Sequence, residues 1–215
     1  MTKSIVSALC LGALALAMPL GAQPAMQKPG SKSIAAISGG TYTVDPGHTL
    51  VTWTVDHLGF SPYTGIFGDV TGTLQLDPKA PAKARVDVTI PVAKVTTASA
   101  GLTAHLLRPA KDAGGKPDFF GADPAPARFV STSVKPLGNG RAAITGNLTL
   151  NGVTRPVVLA ANFYGAGKAP AMMGGKEGVG FTAKATIRRS AFGLGFGVPM
   201  VSDAVTLDIA AAFEK

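Results

Sequence analysis

Three histidines, a pair of adjacent arginines, and ten phenylalanines with one tryptophan are the residues of this 215-residue chain from which chemistry could be built. His48 and His57 stand nine residues apart on one extended run. At about 3.4 Å per residue they reach opposite ends of a strand and cannot share a metal ion. His105 adds a third imidazole, but no His-x-His or His-x-x-x-His spacing exists, so no metal site is expected. Gly-x-Ser-x-Gly and His-Glu-x-x-His are absent as well, and the single cysteine, Cys10, lies in an apolar leader. Gly193-Leu194-Gly195-Phe196-Gly197 imitates a glycine-rich nucleotide loop without the strand–loop–helix context, and reads as a flexible lip. Arg188 and Arg189 point to opposite faces if they end a strand. Whichever faces inward offers a planar fork for a phosphate or carboxylate head group, or a buried bridge to Asp203 or Asp45. The bridge is the favoured role for Arg189. No cofactor is called for.

The remaining chemistry is apolar. From His48 to Asp69 the chain alternates, with Thr49, Val51, Trp53, Val55 and His57 on one side and Leu50, Thr52, Thr54 and Asp56 on the other. That period of two, carried by β-branched and aromatic residues, predicts a strand. Gly59-Phe60-Ser61-Pro62 breaks it, and a second strand starts near Tyr63. In register with Trp53 and Val55, His57 is expected inside, buried and hydrogen-bonded. The candidate ligand wall comprises Val51, Trp53, Val55, His57, Phe60, Phe67 and Phe119, continuing with Phe120, Phe129, Leu148, Phe181, Phe192 and Phe196, with Arg189 as the charged member. Plain core packing would use the same residue types.

These residues need a scaffold of strands. After an opening at Tyr42-Thr43-Val44, the pattern predicts long strands over 49–57 and 63–76, then 85–90, 128–134, 141–150, 155–164, 179–189 and 204–213. Gly138-Asn139-Gly140 and Asn151-Gly152 are hairpin turns, because Asn and Gly tolerate positive φ. Thr97 to Leu107 predicts a short helix, followed by a polar loop and the pair Phe119-Phe120. Gly165 to Lys176 reads as a mobile loop. With no βαβ rhythm the sheet is antiparallel. The fold class is all-β: an eight-stranded antiparallel barrel with a helical excursion between strands 3 and 4. A two-sheet sandwich fits the pattern too, but runs of ten residues favour the barrel, and about eight strands can hold one small ligand.

Lys3 followed by an apolar run from Ile5 to Ala17, then small residues to Ala22 and Ala25, has the anatomy of a secretory signal peptide. The expected organisation is a signal over 1–22, a Pro/Gly/Ser-rich linker over 23–40 and a domain over 41–215. The mature chain would lack cysteine and carry no stable membrane span. Lys3 is the one charge in the leader, so its loss takes the formal charge from +8 to +7. The basic residues are scattered and not interleaved with aromatics, which excludes a nucleic-acid patch.

Across the domain the chain resembles the YceI-like proteins. The residues that carry the resemblance run in order as Val44-Asp45-x-x-His48, Val55-x-His57-Leu58-Gly59, Gly65-x-Phe67-Gly68, His105-Leu106 and Asp118-Phe119-Phe120. They continue with Pro126-x-Arg128-Phe129, Gly146-x-Leu148-Thr149-Leu150-Asn151-Gly152-Val153-Thr154-Arg155-Pro156-Val157, Arg189-Ser190-x-Phe192-Gly193 and Val201-Ser202-Asp203-x-Val205-x-Leu207. The family's Arg-Asp before His-Leu is Thr103-Ala104 here, and longer segments stand after His105 and at Gly165 to Lys176. The resemblance implies a periplasmic or secreted lipocalin-like barrel whose apolar tunnel holds a polyisoprenoid, quinone-like or fatty-acyl ligand; with no catalytic motif in the chain, no enzymatic activity is expected. A homodimer is compatible with it. Each buried methylene contributes about 0.8 kcal/mol, so a five-carbon unit gives roughly 4 kcal/mol and two or three reach micromolar affinity. Two alternatives stand beside a carrier: a hydrolase or isomerase using His57 or His105 as base, and a structural barrel with a filled core.

Overall fold

The computed structural model describes residues 27–215. The expected signal peptide and its cleavage site lie outside the described residues. Among the described residues eleven strands form one sheet, with β1 (Gly40–Val44), β2 (Leu50–His57), β3 (Ser61–Phe67), β4 (Thr71–Leu76), β5 (Arg85–Ile90) and β6 (Thr96–Thr97) in the first half. Helix α1 (Ala100–Leu106) follows, then β7 (Ala127–Gly138), β8 (Arg141–Leu150), β9 (Val153–Lys168), β10 (Glu177–Arg188) and β11 (Ala204–Glu214). All pairings between them are antiparallel. Eight strands close into a ring in the order β1-β4-β5-β7-β8-β9-β10-β11, with β11 returning to β1 through Val44 and Phe213. The barrel expected from strand length is thus the fold.

Of the two long strands expected at the start, the first is β2, unbroken, and the second is divided into β3 and β4. β1 and β2 both run along β11, separated by the turn at Asp45 to His48. β3 and β4 pair with β2 and β1 respectively, and break at Gly68-Asp69, where Asp69 takes φ +52°. At the β1/β4 end, β4 pairs with β5 and the ring closes. At the β2/β3 end, β3 turns away to the two-residue β6 instead. That divergence leaves an unpaired side between β3 and β7, over which α1 and the Asp118–Phe120 segment are laid. Ser99 caps α1 by accepting from the Leu102 amide at 3.2 Å, and the Phe120 amide donates to the Leu106 carbonyl at 3.0 Å.

The closed end is solid. Tyr42, Val44, Val70, Leu74, Leu76, Val179 and Phe213 are buried together there, with Ile37 from the preceding segment. Gly165 to Lys176, expected as a mobile loop, begins as strand: β9 continues to Lys168, with Gly167 opposite Gly178 and Lys168 opposite Glu177, and the connection to β10 is residues 169–176. Small residues explain both the misreading and the strand. Glycines carry little strand signal, yet here they let a second chain come close. A Cβ at Gly167 would overlap the Pro29 carbonyl, and Ser31 exchanges hydrogen bonds of 2.8 and 2.9 Å with Ala166. Ser31 to Gly39, inside the stretch expected as a linker, is therefore held on the barrel. Glu177 Oε2 accepts from the Ser38 amide at 3.0 Å, from the Ser38 hydroxyl at 3.1 Å and from the Tyr42 hydroxyl at 2.9 Å.

Candidate functional site

The open half encloses a cavity of about 490 Å³, within the range of small-molecule sites. β2 contributes Val51, Trp53, Val55 and His57, the inward set of the alternation, and β3 adds Tyr63 and Phe67. β11, beside β2, adds Val205 and Leu207, and the wall continues with Ile187 of β10 and Leu148 and Leu150 of β8. Helix α1 turns Leu102, His105 and Leu106 toward the same space, at the i, i+3, i+4 spacing of one helix face. Phe119, Phe120, Leu194 and Phe196 complete the enclosure, and Phe67 meets Phe120 edge-on at 6.0 Å.

Ten of the fourteen expected wall residues line this cavity: Val51, Trp53, Val55, His57, Phe67, Phe119, Phe120, Leu148, Phe196 and Arg189. Four do not. Phe60, at the tip of the β2–β3 turn, is 87% exposed because the hairpin projects beyond the barrel. Phe129 is buried in the barrel wall against Gly146, where a Cβ would overlap its ring. Phe192 is buried in the same cluster as Phe129. Phe181 points to the solid end, stacked edge-on with Phe163 at 5.9 Å and Phe213 at 6.4 Å. In a tapering barrel, the inward face of a strand meets hollow or solid core depending on height, which alternation cannot report.

Two polar clusters frame the mouth. His105 Nε2 donates to Asp118 Oδ2 at 2.7 Å, and Arg108 donates to the same oxygen at 2.7 Å. Both hydrogen bonds hold the Asp118 carboxyl below the usual carboxylate range. The His105 ring packs edge-on against Phe119 at 5.2 Å and Phe196 at 5.6 Å, and those two phenylalanines meet at 5.4 Å. A carboxylate thereby fixes an aromatic collar. His57 also lines the cavity, but it is exposed at the rim and not buried as its register suggested. It ends β2, where the strand leaves the barrel, paired with Ser61 and bridging Val201.

Arg189 is buried, but neither bridge expected for it forms. Its Nε donates to Ser202 O at 2.9 Å, one terminal nitrogen to Leu194 O at 2.6 Å and Phe196 O at 2.8 Å, and the other to Val201 O at 2.8 Å. The guanidinium thus staples the 194–202 loop from beneath. Burial pushes its pKa down, against the pull of the Asp203 charge. Asp203 instead accepts from the Ser190 amide at 2.8 Å and pairs with exposed Arg188 at 3.4 Å. Four of Arg189's five N–H donors are committed to backbone, so it presents no fork to a ligand.

No group of three or more His, Cys, Asp or Glu placed to hold a metal ion occurs among the described residues. His48 lies outside the cavity and bonds Asp45 at 2.7 Å. The Ser99 hydroxyl is occupied as a helix cap. Nothing in this lining pairs a free nucleophile with a base; what the arrangement can do is surround an apolar chain. Sequence reasoning had passed over Tyr63, Leu102, Leu106, Val205 and Leu207. Each carried a signal: Tyr63 and Phe67 flank Gly65 at period two, and the helix and β11 positions follow their own periods.

A model of the YceI-like domain matches residues 42–213. A UPF0312 protein of Shewanella oneidensis is 36% identical over 177 residues, covering 81% of this chain and 87% of its own. Among solved structures, Burkholderia cenocepacia BcnA superposes with a TM-score of 0.62 at 23% identity, covering 79% of this chain and 98% of its own. A polyisoprenoid-binding domain from Saccharophagus degradans, implicated in plant cell wall breakdown, gives a TM-score of 0.53 at 13% identity, covering 80% and 97%. These two structures share the fold.

Proposed function

We propose that this chain, which belongs to the YceI-like domain family, is an exported lipid-binding barrel that encloses a polyisoprenoid or long-chain amphiphile and carries or stores it without making or breaking a bond. The observation that carries this reading is the cavity itself: about 490 Å³, walled by aliphatic and aromatic side chains, in a barrel whose other end is solid. The Saccharophagus degradans domain of the same fold, named for polyisoprenoid binding, supports the choice of ligand class. An apolar chain gains about 25 cal/mol per Å² buried, and a closed tube collects that area from all sides. The leader of Lys3 and Ile5 to Ala17 supports delivery to the periplasm. Among the described residues no helix is long and apolar enough to cross a membrane.

The committed polar groups support binding in place of catalysis. His105 is tied to Asp118, Ser99 caps α1, and Arg189 holds carbonyls. Solvent extraction of the purified protein followed by mass spectrometry tests the reading. A stoichiometric amphiphile is expected; a barrel that yields none and takes up neither prenyl nor fatty-acyl probes would overturn it.

A further inference from the structure

Trp53 Nε1 and Tyr63 OH are the two side-chain polar atoms, among the described residues, that are shut off from solvent without a hydrogen-bond partner. Both side chains line the cavity. They are also neighbours: Trp53 stands opposite Gly65 and Tyr63 opposite Val55, so the two lie on one diagonal of the β2–β3 pair. Such diagonal positions are roughly 7–8 Å apart at the backbone, within reach of aromatic tips. A Cβ at Gly65 would overlap the indole ring, so the glycine lets Trp53 lie flat on β3 with Nε1 above it. Buried polar groups in proteins are satisfied with few exceptions, and each exception needs a cause. Two exceptions on one wall of one cavity have a common cause.

We propose that the occupant of the cavity carries an uncharged carbonyl oxygen that accepts hydrogen bonds from Trp53 Nε1 and Tyr63 OH. This rests on the reading of the barrel as a lipid site and adds the place and chemistry of the lipid's polar atom. The indole N–H can only donate, so the occupant must accept. A carbonyl oxygen has two lone pairs, enough for both donors. Neither polar atom is reached from the hollow in this structure, so the proposed bonds require both rings to turn toward it when the oxygen docks. The acceptor is uncharged, because a buried oxyanion needs a countercharge. Arg189 is the guanidinium that lines the cavity, and it is bound to the carbonyls of Leu194, Phe196, Val201 and Ser202. His105 is bound to Asp118, and His57 sits at the rim. A ketone, quinone, ester or amide carbonyl fits; a free phosphate or carboxylate at this depth does not.

Trp53 is the only tryptophan in the chain, so its fluorescence reports on this site alone. Protein stripped of lipid is titrated with three probes of similar length: farnesylacetone, methyl palmitate and the hydrocarbon pristane. The carbonyl probes are expected to bind about tenfold tighter than pristane, near 1.4 kcal/mol, and to shift Trp53 emission to the red. Whichever carbonyl probe binds tighter distinguishes a prenyl from an acyl source. Tyr63→Phe keeps the ring and is expected to weaken the carbonyl probes about fivefold while leaving pristane unchanged. Trp53→Phe, followed by displacement of the uncharged fluorophore 1,6-diphenylhexatriene, is expected to weaken the carbonyl probes in the same way. Equal affinity of pristane and the carbonyl probes, or a Tyr63→Phe variant with an unaltered preference, overturns the proposal while the lipid reading stands. Binding of none of the three probes overturns the lipid reading and the proposal with it.

Discussion

Tyr42 and Tyr63 sit in the same barrel with opposite fates. Tyr42, at the closed end, is 0% exposed, donates to Glu177 at 2.9 Å and accepts from the Gly39 amide at 3.1 Å. Burial and the Glu177 carboxylate together push its phenol pKa up. Tyr63, at the open end, has no partner for its hydroxyl among the described residues. The difference is one of completion. The closed end recruits Ser38, Gly39 and Lys215 from both ends of the domain into one network around Glu177, including Lys215 to the Ser38 hydroxyl at 2.7 Å. The open end exchanges a strand pairing for a helix and two phenylalanines, and keeps a hollow. One half of the barrel stores stability and the other half keeps room.

Substitutions should separate the two ends. The largest loss is expected from Tyr42→Ala, about 3–5 kcal/mol in chemical denaturation, as for other buried aromatic-to-alanine changes. Leu102→Ala, facing the hollow, should fall well short of that and act on ligand affinity instead. A comparable loss from both would erase the contrast. Next comes Arg189→Met, expected to cost about 3 kcal/mol because four carbonyls lose a charged donor. Its signature is faster proteolysis within residues 194–202, and an unchanged cleavage pattern would show that the loop does not depend on the staple.

Smaller and sharper is a pair of hydroxyl deletions. Tyr42→Phe should cost about 1–3 kcal/mol by orphaning buried partners, whereas Tyr63→Phe in lipid-free protein should be neutral or slightly stabilising. Equal melting shifts for the two would contradict the structure. The smallest effect is in pH. The Ser38 and Tyr42 hydrogen bonds hold the Glu177 carboxyl below its ordinary value, and the His105 and Arg108 bonds do the same for Asp118. A depressed folded pKa gives stability that is present above the unfolded value and lost as pH falls through the folded one. Melting temperature should therefore decline below about pH 4.3, the free glutamate value. Glu177→Gln should flatten that decline, and Asp118→Asn should loosen the collar, seen as faster ligand exchange with little change in melting.

The period-two run from Val51 to His57 sufficed to place Trp53 and Val55 on the cavity face, because a strand forces alternate side chains to one side. The same rule failed at Phe181, whose face was right but whose height was not, and at Phe129, which stands opposite cavity-lining Leu148 but packs its ring against Gly146. His57 shows a further limit: register put it inside, and the end of the strand put it at the rim. Gly165 to Lys168 misled for an opposite reason. Their glycines look like loop in isolation and serve as close-approach strand only because Pro29 and Ser31 lie across them.

Alternation and turn chemistry in the chain alone determined an antiparallel β domain with an apolar interior, and strand length favoured a barrel over a sandwich, since these follow from backbone geometry local to each run. Tertiary structure decided where that interior is hollow. β3 leaves its neighbour for β6, α1 covers the breach, and Arg189 spends its donors on a loop, all outcomes of long-range pairing that no local period encodes. A hollow is the absence of a packing partner, and only the assembled neighbours define it.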